Sequence, residues 1–154
     1  MFPKRLSTVF KHTTVHVLLC AFLVFAGTCI AASAAEYVLI AHKAVAENHL
    51  TKVDVKAIFL GNKTRWENGS SIKSVTLEDG SAHKTFLHDV IKKTPAQFTS
   101  YWNKMVFTGK SLAPKSFIDA ELLVKYVASQ KGAIGYVPAE NTDDTVKTIS
   151  IREE

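Results

Sequence analysis

Thiols are scarce in this chain: its 154 residues hold only Cys20 and Cys29, both within the first 30. Downstream of them neither a disulfide nor a zinc–thiolate site can form. Neither cysteine suits lipid attachment, because Leu19 and Thr28 stand where a small Gly or Ala is wanted. Signatures of catalysis are missing as well. There is no Gly-x-Ser-x-Gly, no Walker loop and no dinucleotide fingerprint. His42, His49, His83 and His88 show no metal-ligand spacing, and the closest pair, five apart, does not share a helix face. This profile argues against an enzyme and gives no reason to expect a cofactor or a metal. Runs of like charge are missing too, so nucleic acid is not an expected partner.

What is present begins with export. Lys4, Arg5 and Lys11 precede an uncharged apolar run of 14 residues from Val17 to Ile30, and Ala32-Ser33-Ala34 follows. Positive charge, apolar stretch and small residues in that order are the grammar of a signal peptide. A membrane-spanning helix needs about 20 apolar residues. The expected organisation is therefore a signal peptide over 1–35 and one periplasmic domain over 36–154. Three of the 19 Lys+Arg leave with the signal, which leaves 16 against 14 Asp+Glu, a net charge of about +2. About 119 residues remain, enough for a self-standing core.

Along the domain, Glu36–Ala41 reads as a buried strand. Thr51, with Asp54 three residues on, marks a helix start, and Gly61 its end. Glu67–Ser70 is a turn, and Ile72, Val75 and Leu77 frame a second strand. A helix begins at Ser81, with Phe86, Leu87, Val90 and Ile91 as its apolar face. Thr94 and Pro95 open the next helix, on which Phe98, Tyr101, Trp102, Met105 and Val106 form an aromatic-rich stripe expected to lie on the sheet. Residues 112–115 read as a loop. A fourth helix, capped by Ser116 or Asp119, runs to about Ser129. Ala133–Val137 and the alternating Thr145–Ile151 are the last strands. The order predicts an α/β fold, a mixed sheet flanked by helices. The helix between the first two of these strands implies that they run parallel.

One stretch offers binding chemistry: Asp79-Gly80-Ser81-Ala82-His83-Lys84, where a strand hands over to a helix. A helix start carries free N–H groups and partial positive charge, so it holds anions. Ser81 adds a hydroxyl, and His83 and Lys84 add positive charge, while Glu78 and Asp79 oppose an anion. The alternative is structural: Ser81 as the N-cap of its own helix.

Three segments in order carry a resemblance. Ala57-Ile-Phe-Leu-Gly-Asn-Lys-Thr-Arg-Trp66, Glu78-Asp-Gly-Ser-Ala-His-Lys-Thr-Phe86 and Gly132-Ala-Ile-Gly-Tyr-Val137 resemble segments of the phosphate-type substrate-binding proteins of ABC importers. The resemblance implies a single type 2 periplasmic-binding-protein-like domain and an anion site over Asp79, Gly80, Ser81, Ala82 and His83. Asp79, Gly80 and Ser81 match the family's segment. Ala82 and His83 stand where a Gly and a Thr follow the Ser, and Leu77 where an Arg is expected. The family's full-length members have two lobes and are more than twice as long as the domain expected over 36–154. Arg65 is expected to be solvated, Trp66 to pack its loop onto the preceding helix, and Gly132 and Gly135 to serve the backbone.

The function expected from all this is a periplasmic solute-binding module for phosphate or a similar oxyanion, served by an inner-membrane permease. The alternative is a ligand-free interaction or sensory protein on the same fold. N-terminal sequencing of the exported product should start at Ala35 or Glu36; a membrane-embedded product still starting at Met1 would contradict the signal-peptide reading.

Overall fold

Why the chain turns where it does is visible from its caps and glycines. The computed structural model describes residues 37–153, so the signal peptide expected over 1–35 lies outside the described residues. Every described element belongs to one compact unit. The strands are β1 (Val38–Ala41), β2 (His49–Thr51), β3 (Lys73–Leu77), β4 (Lys115–Phe117), β5 (Ala133–Val137) and β6 (Lys147–Arg152). The helices are α1 (Lys52–Phe59), α2 (Ser81–Phe86), α3 (Pro95–Phe107) and α4 (Ala120–Ser129). A π-turn, Leu87–Ile91, extends α2.

Caps fix the helix starts. Thr51 accepts the Asp54 N–H at 3.1 Å, and Asp119 accepts that of Leu122 at 3.0 Å. Thr94 and Gln97 form a reciprocal capping box ahead of Pro95. Ser116 is in β4 rather than at a helix start.

The six strands form one mixed sheet in the order β2-β6-β1-β5-β3-β4. β1 runs antiparallel to both neighbours, with Leu39 opposite Tyr136 and Ile149. β3 runs parallel to β5 and β4, and β2 parallel to β6. The expected parallel relation of β1 and β3 is thus corrected: β5 lies between them, and they run in opposite senses. The helix argument still holds, but for another pair. α1 follows β2, and β2 and β3 do run in the same sense. β2 and β4 escaped the sequence reading because each has only three residues and lies on a sheet edge.

Both faces of β5 are covered, and all five of its residues are buried. A Cβ on Gly135 would come within 2.8 Å of Leu123 and Val75, so α4 sits directly on this strand. Gly132 has φ +79, and a Cβ there would meet the Ser71 carbonyl oxygen at 2.3 Å. Both glycines are backbone necessities. Trp66 is buried and donates to the Gly132 carbonyl oxygen at 3.0 Å, while the exposed Arg65 donates to that of Gly69 at 2.9 Å.

The α3 stripe is only partly inside. Phe98 and Trp102 are buried, but Val106 is 48% exposed and Phe107 93% exposed. This corrects the expectation that Val106 is core. The helix rests its first half on the corner after α1, where Tyr101 donates to the Leu60 carbonyl oxygen at 2.7 Å and Trp102 crowds Gly61. Its last turn runs beyond that support.

Among the described residues the buried Trp102 indole N–H has no hydrogen-bond partner. Trp102→Ala is expected to cost about 3–5 kcal/mol, as large aromatic truncations in cores do. Trp102→Phe should cost less than half of that, because it also removes the stranded donor. Urea melts of the two variants check this, and equal losses would contradict it.

Candidate functional site

α2 starts on a glycine that only a glycine suits. Gly80 is the N-cap, with φ 104 and ψ 170, and contributes no side chain to the cap. Ser81 is therefore the first helical residue and not the N-cap. It is exposed, and among the described residues its hydroxyl has no hydrogen-bond partner.

Asp79 is exposed, and its carboxyl is held below the usual range, first by the Gly80 N–H and then by Lys84 at 3.2 Å. The carboxylate beside the helix start thus competes with any incoming anion. Glu78 is turned aside to Ser116, whose hydroxyl donates to it at 3.2 Å.

Ala82 and His83 are buried. The side chain of His83 lies in the core, its Nδ1 2.6 Å from the Tyr136 hydroxyl. Burial pushes the imidazole pKa down and the phenol far up. The stable arrangement has the Tyr136 O–H donating to an unprotonated Nδ1 on a neutral ring. This corrects the expectation that His83 supplies positive charge to an anion. The ring faces inward and resists protonation. Leu77, at the family's Arg position, is buried in β3.

Of the five sequence-predicted residues, Gly80 and Ser81 present a backbone turn and a free hydroxyl outward, and Asp79 flanks them. Ala82 and His83 contribute only backbone at the helix start, and their side chains anchor the helix. The signal for His83 was available in its position: it lies three residues before Phe86, on the apolar face.

Comparison with solved structures decides the architecture. A Clostridium perfringens protein assigned as a phosphate ABC transporter substrate-binding protein, solved with bound phosphate, matches with a TM-score of 0.60 and 22% identity, over 75% of this chain and 44% of that one. An ABC-type phosphate transport receptor from Vibrio cholerae matches with a TM-score of 0.52 and 15% identity, over 75% and 46%. PstS from Borrelia burgdorferi matches with a TM-score of 0.57 and 14% identity, over 76% and 47%. This chain has the phosphate-binding-protein fold. It spans less than half the length of each of these three structures. No protein-family profile and no curated protein matches the sequence.

The His83–Tyr136 pair makes stability depend on pH. An unfolded histidine takes up a proton near pH 6.5, whereas the folded ring does so only at lower pH. Below about pH 6.5 the unfolded state binds the extra proton, so this stability is present above that pH and is lost as pH falls. His83→Gln should flatten the pH dependence of the urea midpoint between about pH 7 and pH 5. An unchanged slope would place the wild-type dependence on other groups.

Proposed function

We propose that the chain is an exported, periplasmic solute-binding module without catalytic activity, for phosphate or a similar oxyanion, working with an inner-membrane ABC-type permease. The observation that carries this reading is the fold, shared with two proteins named for phosphate transport. The start of α2 supports it locally. In the proposed site, Gly80 lets the backbone approach the anion, and the Ser81 hydroxyl and the N–H groups of Ser81, Ala82 and His83 donate to it. The Asp79 carboxylate accepts a hydrogen bond from a protonated phosphate oxygen.

The affinity expected of this arrangement is low. A single lobe leaves the anion in contact with water, where charge-assisted bonds are weakened. The Arg and Thr positions of the family's segment are Leu77 and His83, and neither side chain reaches outward. Two charged hydrogen bonds fewer correspond to roughly 3–6 kcal/mol, or two to four decades.

A second reading, a ligand-free interaction or sensory protein on the same fold, is favoured by one observation. Phe107, Leu112 and Ile118 are 93%, 88% and 82% exposed, all within one short stretch. Apolar surface of this kind is used in contact with other proteins.

Thermal melts in phosphate, sulfate and molybdate, followed by calorimetry, test the first reading. Phosphate should bind in the high-micromolar range or more weakly, with no gain toward pH 6, and Ser81→Asp should abolish binding by placing a carboxylate at the helix start. Sub-micromolar affinity would contradict the single-lobe argument. Unchanged binding in Ser81→Asp would place the site elsewhere, and no stabilisation by any of the three anions would favour the second reading.

A further inference from the structure

Two clefts on the described surface differ sharply in charge. One, of about 250 Å³, is bordered by Glu121, Glu140 and Asp143 as well as Lys125. The other, of about 350 Å³, lies between the π-turn and the start of α3 and is bordered by Lys84, His88, Lys92, Lys93, Pro95 and Gln97 among others. No carboxylate lines this second cleft. Its walls are mostly carbon, from lysine stems and the Pro95 ring.

The basic groups are only weakly compensated. Lys84 reaches Asp79, which is 78% exposed, at 3.2 Å, and the exposed His88 pairs with Asp89 at 2.8 Å. The Lys93 ammonium sits 5.6 Å from the centre of the Tyr101 ring. Among the described residues the Lys92 ammonium makes no ion pair, hydrogen bond or ring contact. Lys92 is the one non-glycine residue of positive φ among them, at φ 60, and its N–H closes the π-turn on the Leu87 carbonyl. The helix start itself is not a free donor. Thr94 and Gln97 satisfy each other there, so the side-chain cations are the groups available to a ligand.

Like charges around a carbon-walled hollow repel one another more than they would in open water. An anion placed among them removes that repulsion, and lysines bind phosphate as point charges. A volume near the lower end of ligand sites suits a body about the size of one ring. We propose that this cleft binds an organic phosphate monoester, its phosphate among Lys84, Lys92 and Lys93 and its apolar group against Pro95 and the lysine stems. This site uses none of the donors at Gly80–Ser81, though Lys84 borders both.

The test is calorimetry with phenyl phosphate on the Ser81→Asp protein, in which the start of α2 is silenced. Phenyl phosphate should bind, more weakly as salt is raised. Lys92→Glu/Lys93→Glu in the same background should weaken it about tenfold or more, and Lys92→Gln/Lys93→Gln by less. In an otherwise wild-type chain, the same two charge reversals should leave unchanged the part of inorganic phosphate binding that Ser81→Asp removes, so the two sites succeed or fail separately. Phosphatidylcholine vesicles with and without phosphatidic acid distinguish a free ester from a lipid headgroup. Failure of phenyl phosphate to bind, equal binding by the charge-reversed protein, or binding to the phosphatidic acid vesicles alone would each overturn the proposal.

Discussion

The buried hydroxyl of Tyr136 holds the sheet and the first helix after β3 in one arrangement. It pairs with the His83 Nδ1 at 2.6 Å, so a single oxygen ties β5 to α2. Buried polar groups are costly unless paired, and here each pairs with the other. The aromatic rings around it complete the joint. Phe86 stacks on Tyr136 with centroids 3.9 Å apart, and Phe59 meets Phe86 edge-on at 4.9 Å. With the helix pinned by His83 and Phe86 on its inner side, Ser81 on the first turn is left facing outward.

The same joint sets the electrostatic character of the candidate site. A histidine that serves as a neutral hydrogen-bond acceptor inside cannot serve as a cation outside. The positive field at the helix start comes from its backbone and from Lys84, with Asp79 opposing it. That balance differs from what the bare order Asp-Gly-Ser-Ala-His-Lys suggests, where two basic residues follow the serine.

Much of the fold was legible because its signals are local. Thr51, Thr94 and Asp119 are caps that act within three residues, and β5 is a short apolar run of the kind a strand buried on both faces requires. What was not legible depends on partners far along the chain. β2 and β4 have three residues each, and only pairing with β6 and β3 makes them strands. The sense of β1 relative to β3 depends on β5 lying between them, which no local pattern encodes. Val106 has the right spacing for the core stripe, but spacing does not say where the supporting surface ends. His83 illustrates the limit for the site: its position on the apolar face was visible, while its partner 53 residues away was not.

The place of β1 in the sheet governs when the chain can fold. Its two neighbours, β5 and β6, are the last two strands. A chain emerging with its N-terminus first therefore carries an unpaired β1 until residues 133–152 have followed. Such long-range closure delays the gain that offsets the entropy of ordering the chain. The topology therefore makes closure of the sheet a late event: the strand that comes first in the chain is the one that waits longest for its partners.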